Sequence, residues 1–265
     1  MKIELRYAAH PDDVKKYDTD KLRKEFLIEN VFIADEISLV YSLYDRYMVG
    51  GAMPVKKALK LESPDELKAV QFLDRREMGI INVGGDAVIE AGGKSYKLAF
   101  KEALYLGKGT NDVVFKSADQ KKPAKLYLNS APAHHAYPSK KVTLAEADIV
   151  VLGNAESANH RTVNTLLVNS VIETCQLQMG MTELKTGSVW NTMPVHTHNR
   201  RMEAYFYFEV PAKQAICHFM GTPDETRHIW MNNEQAVLSP SWRIHSSSRT
   251  SHYTLLWGLA CRNLD

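Results

Sequence analysis

The chain has 265 residues, 45% of them hydrophobic and 24% charged, with a formal net charge of +2. That length allows one large or two small domains with a real core, and the composition is that of a soluble globular protein. It excludes a nucleic-acid footprint, since Lys56-Lys57 and Lys140-Lys141 are only pairs, and it excludes a spanning apolar helix or an N-terminal signal peptide.

Residues 1–30 are polar with one helical patch, in which Asp18-Thr-Asp precedes Leu22, Phe26 and Leu27 at helical spacing. From Val31 the texture changes to β-branched and aromatic residues, which predicts strands up to a break at Gly50-Gly51. Ser63-Pro-Asp-Glu has the form of a capping box with proline at the first helical position, which predicts a short helix over Glu66 to Phe72. Between Met78 and Phe115 short apolar runs alternate with Gly84-Gly85, Gly92-Gly93 and Gly107-Lys-Gly109, the punctuation of an antiparallel barrel or sandwich. Gly107-Lys-Gly109 lacks the upstream glycine and following hydroxyl residue of a phosphate loop and is a hairpin turn. Lys125 to Asn129 predicts a strand, Ala131 to Ser139 a crossing loop carrying His134-His135, and Thr143 to Glu146 a second cap.

The second half predicts strands over Arg161 to Val168, Cys175 to Leu184 and Ser188 to Met193, and again around Ala215, Glu225, Ala236 and Tyr253. Three widely spaced cysteines, Cys175, Cys217 and Cys261, argue against a disulfide framework and fit a reducing cytoplasm, with buried thiols expected at Cys175 and Cys217.

The chemistry-bearing stretch is Met193 to Phe208. His196-Thr-His198 is followed five residues later by Glu203, and on an extended chain residues two apart face the same way. Glu203, Tyr205 and Tyr207 should share one face, and Ala204, Phe206 and Phe208 the other. Two imidazoles and a carboxylate suit a divalent first-row metal, and His245, beyond the turn at Pro240, is the candidate fourth ligand.

This pattern resembles the two motifs of the cupin barrel. At closer range Glu173-Thr-Cys-Gln-Leu, Trp190-Asn-Thr-Met-Pro, His198-Asn-Arg-Arg-Met-Glu, Glu225-Thr-Arg-His and Asn233 to Trp242 resemble the 5-keto-4-deoxyuronate isomerase family. Phe72-Leu-Asp-Arg-Arg-Glu, Tyr105-Leu-Gly-Lys-Gly and Tyr137-Pro-Ser-Lys-Lys-Val-Thr fit the same family, so the resemblance runs from about Leu22 to Gly258. It implies an all-β chain of two tandem jelly-roll barrels with few short helices: an N-terminal segment 1–30, a degenerate barrel 31–148 without metal, and a metal-binding barrel 149–265. The halves look like copies. Aligning Asp74-Arg-Arg-Glu with Asn199-Arg-Arg-Met, and Ala103 to Gly109 with Ala236 to Trp242, sets Met78 at the place of Glu203, Val113 at that of His245, and Gln71 and Leu73 at those of His196 and His198.

The resemblance further implies one zinc ion per chain on His196, His198, Glu203 and His245, and an aldose–ketose isomerisation of a keto-deoxyuronate in pectin breakdown. It also implies a homohexamer. Such a reaction builds charge on two sugar oxygens, which a Lewis-acidic cation stabilises; an enediol route also needs a general base. Glu183, Tyr205 and Tyr207 are the candidates for proton work, and Arg161, Arg200, Arg201 and Arg243 for gripping the substrate carboxylate. Another sugar acid, an iron-dependent dioxygenase, or a binding protein without turnover would use the same ligands. Family members run past the last Trp-Gly into an acidic tail, where this sequence closes with Trp257 to Asp265.

Overall fold

A computed structural model describes residues 1–260. Two seven-stranded sheets dominate. The first has the spatial order Lys2–Arg6, Ile37–Ser42, Met48–Ala52, Leu126–Pro132, Arg76–Asn82, Ala103–Leu106 and Lys140–Val142. The second runs Asp148–Leu152, Arg161–Leu167, Gln178–Leu184, Thr254–Leu259, Glu203–Phe208, Gln235–Ser239 and Leu27–Ile28. Each curls with a smaller sheet into a barrel. The partner of the first is Leu59–Lys60, Val114–Ser117, Ala87–Ala91 and Lys94–Leu98, and that of the second is Glu225–Met231, Ile216–Thr222 and Ser246–Ser248.

Three apolar clusters follow from this arrangement. The first barrel is filled by Leu39, Met78, Ile80, Leu104, Phe115 and their neighbours. The second holds Leu184, Tyr205, Tyr207, Ile216, Met220 and Leu255. The third lies between the two large sheets, where Tyr47, Ile81 and Tyr127 meet Met179, Met181 and Phe206. The period-two pattern of Glu203–Phe208 sorts as expected: Tyr205 and Tyr207 point into the second barrel, and Ala204, Phe206 and Phe208 into the layer between barrels. There Phe206 stacks on Tyr127 at 4.7 Å between ring centroids. The layer is tight. A Cβ on Gly258 would lie 1.9 Å from Asn129 Oδ1, so only glycine lets the strands approach.

Polar bonds cross the same layer. The Glu77 carboxylate, fully buried, accepts the Tyr105 hydroxyl at 2.6 Å and the backbone N–H groups of Cys175, Gln176 and Leu177 at 2.8, 2.6 and 2.7 Å. One charge thereby satisfies four donors, three of them on the chain entering the second barrel.

The helix expected near Leu22 forms as Thr19–Phe26; Asp18 caps it by accepting from Lys21 N at 2.8 Å, and Leu22 and Phe26 are buried. Leu27 leaves the helix in extended conformation, and Leu27–Ile28 adds an antiparallel edge to Gln235–Ser239 of the second barrel. Lys2–Arg6 instead pairs parallel with Ile37–Ser42 of the first. The N-terminal segment therefore contributes a strand to each barrel, which its polar composition did not signal.

Several local expectations differ. Gly50 and Gly51 lie inside the strand Met48–Ala52 rather than ending it, because a Cβ on Gly50 would meet Ser38 O at 1.9 Å. Only a single 3-10 turn, Asp65–Leu67, follows Pro64; it has no side-chain cap, and Lys68 in left-handed conformation stops it. The Thr143–Glu146 capping box is present, on the 3-10 turn Leu144–Glu146. Residues 188–193 contribute one bridge, Asn191 to Ser247, in place of a strand. Cys175 is buried, Cys217 is only half-buried, and Cys261 lies outside the described residues. No helix among the described residues is long and apolar enough to cross a membrane.

The register between the halves matches the sequence alignment at Met78. Met78 faces Leu106 in the first barrel as Glu203 faces Ser239 in the second. Met78, Leu73 and Val113 all belong to the first barrel's apolar filling; the equivalence of Leu106 and Ser239 sets the place of His245 one residue earlier than expected, at Asp112, which is exposed and 4.0 Å from Lys60, so that barrel presents no ligand set at this level.

Candidate metal centre

The loop 193–202 runs over the mouth of the second barrel and carries His196 and His198; the following strand starts at Glu203, and His245 closes the turn after Pro240. Ring centroids of His196 and His198 are 4.7 Å apart, those of His196 and His245 4.8 Å, and those of His198 and His245 4.9 Å. One nitrogen from each imidazole lies within 4.8 Å of the other two. Glu203 reaches two of the three: Oε1 is 2.8 Å from His198 Nε2, and Oε2 is 3.5 Å from His245 Nε2.

Supporting contacts set the donor atoms. His196 Nδ1 is 3.1 Å from Pro194 O; a proton there leaves Nε2 as the free lone pair. The backbone N–H of His198 donates to Ser241 O at 3.2 Å, joining the loop of His196 and His198 to that of His245. Arg201 braces the set, with Nε 3.8 Å from Glu203 and a terminal nitrogen 3.5 Å from His198 Nδ1. From the first barrel, Asp45 accepts the N–H of Met202 at 2.8 Å and fixes the chain one residue before Glu203.

Charge states suit a cation. Burial disfavours the Glu203 carboxylate, but its bond to His198 and the electrostatic pull of the neighbouring imidazoles and Arg201 outweigh that and hold it below the usual carboxylate range. Burial is also the largest influence on His245, which is pushed down to about 4 despite the attraction of Glu203, and so is neutral at neutral pH. Neutral imidazoles with one carboxylate are the protonation states that bind a divalent metal.

A cavity of about 340 Å³ opens beside this cluster. Its wall includes His196, His198, Glu203 and His245 together with Arg161, Arg201, Thr192, Tyr205 and Trp257. Tyr205 packs edge-on to His245 at 5.4 Å, and its hydroxyl is 3.3 Å from Thr192 Oγ1. Burial, then the Glu203 charge, raises this phenol well above its ordinary value, so it is a donor and not a base. Arg161 is anchored through one terminal nitrogen on Asn159 O at 2.9 Å and has no carboxylate partner among the described residues.

Other sequence candidates lie elsewhere. Glu183 shares the strand face of Met179 and Met181, opposite to Thr182, and bonds Lys101 Nζ at 2.8 Å and Asn164 Nδ2 at 3.0 Å. Tyr207 is buried below the cavity on His218 Nδ1 at 2.8 Å. Arg243 is fully buried, donating to Leu238 O at 2.8 Å and stacking on Phe26 at 4.3 Å. Trp242 packs edge-on to Phe26, and Arg200 is exposed outside the cavity wall. His134 contacts Cys175 Sγ at 3.2 Å and His135 packs on Tyr137, so neither reaches the cavity. Asp45 and Thr192 were missed. Neither carries a local pattern, since each acts through a contact distant in sequence.

Two tandem barrels with ligand-type side chains at one mouth define a two-barrel cupin-like protein. The sequence profile of the KduI/IolB family matches residues 27–263. The 4-deoxy-L-threo-5-hexosulose-uronate ketol-isomerase of Bacteroides fragilis is 62% identical over 262 residues, covering 99% of this chain and 94% of the relative. The 4-deoxy-L-threo-5-hexosulose-uronate ketol-isomerase 1 of Bacteroides thetaiotaomicron is 59% identical over the same shares. A crystal structure of an IolB-like protein from Salmonella typhimurium LT2 superposes with a TM-score of 0.73 at 16% identity, covering 90% of this chain and 93% of that one. The chain belongs to the KduI/IolB family.

Proposed function

We propose that the protein is a zinc-dependent ketol-isomerase that interconverts 5-dehydro-4-deoxy-D-glucuronate and 3-deoxy-D-glycero-2,5-hexodiulosonate. The observation that carries this reading is the meeting of three imidazoles and one carboxylate beside a cavity that also presents an unpaired arginine. The family relatives named for this activity support the substrate. Zinc held by His196, His198, Glu203 and His245 would act as a Lewis acid, stabilising charge on the sugar's carbonyl oxygens.

The remaining roles fall to the chain itself. Arg161 grips the substrate carboxylate, with its free nitrogens making charge-assisted bonds. Arg201 is committed to Glu203 and His198 and serves as a brace. Tyr205 donates to a sugar oxygen, and with Thr192 it can pass a proton between adjacent oxygens. Among the described residues Glu203 is the only carboxylate on the cavity wall, which favours a direct hydride shift between the two carbons over an enediol route with a separate base.

Assembly into a homohexamer belongs to the same proposal. It is supported by the edge strand Asp148–Leu152, whose Ile149, Val150, Val151 and Leu152 are all exposed.

The test couples elemental analysis to an isomerase assay on the keto-deoxyuronate. His196→Ala and Glu203→Ala should each lose both metal and turnover; turnover by a metal-free variant overturns the proposal. A substrate panel separates it from isomerisation of another sugar acid, and oxygen uptake with bound iron would signal a dioxygenase.

A further inference from the structure

We infer that the first barrel carries its own binding site for a small oxyanion, a carboxylate or phosphate, at the mouth lined by Arg46, Arg75 and Arg76. A cavity of about 200 Å³ opens there, walled by these three arginines with Tyr41, Phe72 and Glu66. It is separate from the metal centre and does not depend on that assignment.

The argument begins with the register between the barrels. Because Met78 occupies the place of Glu203, Arg76 occupies the place of Arg201. In the second barrel the arginine lies 3.8 Å from the Glu203 carboxylate. In the first the carboxylate has become a thioether in an apolar core, yet the arginine remains, only 4% exposed. Arg76 is thus more deeply buried than Arg201, whose side chain is 22% exposed, yet it has no carboxylate partner among the described residues, and burying an unpaired charge is costly.

What holds Arg76 orients it without neutralising it. Nε donates to Ser130 Oγ at 3.1 Å, and one terminal nitrogen donates to Ser130 O and Arg46 O, both at 2.8 Å. Its cation also lies over the Tyr41 ring at 5.6 Å. Arg75 is tied in the same manner, to the carbonyls of Leu67 and Lys68. None of the three arginines has a carboxylate within ion-pair distance among the described residues, and Glu66 borders the cavity without reaching them. Glu77, next in sequence to Arg76, points into the layer between barrels and is bonded to four donors there. Burial, and after it the neighbouring Arg46 charge, press Arg76 down to about 10, the direction that a bound anion would reverse. Three arginines lining one small cavity, two of them fastened by carbonyls and none with a carboxylate partner among the described residues, form an oxyanion receptor.

The site lies one residue in sequence from a contact with the second barrel. Arg46 follows Asp45, the residue that accepts from Met202 N beside Glu203. An anion on Arg46 therefore sits one residue from the contact that fixes the metal loop.

Titration calorimetry on the full-length, metal-loaded protein tests this, with inorganic phosphate and D-galacturonate as separate probes. Wild type should show a saturable site for at least one probe, and the tighter of the two identifies the ligand class. That site should survive in Arg161→Ala, which removes the cation of the other cavity. It should weaken tenfold or more in the doubly substituted Arg46→Ala/Arg75→Ala, whose side chains are exposed and whose loss leaves the fold intact. Circular dichroism confirms the fold, and Arg76→Gln provides a second variant with the same expected loss. Absence of saturable binding by either probe, or undiminished binding in the double variant, overturns the inference.

Discussion

Lys101 Nζ lies 2.8 Å from Glu183 Oε1, and the pair joins the first barrel to the outer face of a second-barrel strand. The same ammonium is 3.0 Å from Glu209. This places Glu183 across the sheet from the cavity. Glu183→Gln should therefore leave kcat and KM within about twofold and lower stability by roughly 1 kcal/mol or less, the worth of a partly exposed ion pair. A steady-state assay with a thermal melt checks both; a hundredfold loss in kcat would restore Glu183 as a base.

Tyr205 gives the complementary case. Its phenol stays protonated beside Glu203 and faces the cavity. Tyr205→Phe should keep the wild-type metal content and lose on the order of 10² in kcat, as expected for a lost donor to a charged oxygen. Unchanged turnover at full metal content would remove Tyr205 from the reaction.

Arg161→Ala should raise KM far more than it lowers kcat, because a carboxylate grip acts in ground and transition states alike. Arg161→Lys should recover part of the loss, since it keeps the charge without the two-pronged geometry. An equal fall in kcat and kcat/KM would point instead to a role at the reacting carbons.

The metal-free protein should lose stability as pH falls from about 6.5 towards 4. Burial pushes His245 to about 4 and holds His218 well below 6.5, with Arg243 and His245 adding to the effect on His218. An unfolded histidine takes up its proton near 6.5. Across that window the unfolded state binds more protons, so stability rises with pH, by at most about 1.4 kcal/mol per pH unit for each histidine. Glu203, held below its ordinary value, adds a slope of the same sign at lower pH. Urea midpoints at several pH values measure this, and a flat or inverted profile would contradict it.

Glu77→Ala should destabilise the protein by several kcal/mol, because three buried donors and one partly buried donor lose one acceptor together. If the melting temperature moved by only a degree or two, the carboxylate would not be what ties the barrels.

The meeting of His196, His198, Glu203 and His245 was legible because metal chemistry accepts few side-chain types and the His196-x-His198 pattern keeps two of them close. The alternation in Glu203–Phe208 was legible because strand geometry has a fixed period. The face of Glu183 was not, since a strand's inward side depends on which sheets enclose it. The strand Asp148–Leu152 escaped for a related reason: it pairs with Arg161–Leu167 across an intervening loop, and neither of its faces is buried to give a period. Ser63 looked like a cap, but Lys68 turns left-handed before a helix can propagate. Asp45 could not be found at all from its neighbours, because its partner Met202 is far along the chain.

The strand Leu27–Ile28 sets an order of events during synthesis. It leaves the ribosome early, yet its hydrogen-bonding partner, Gln235–Ser239, is made near the end. The first barrel can close while the ribosome still works on the second. Its N-terminal strap must meanwhile wait, with Leu22 and Phe26 without their final cover, so the nascent chain passes through a stage with a sticky, unlatched arm. Newly made protein should therefore lean on chaperones most just before the last barrel strands emerge.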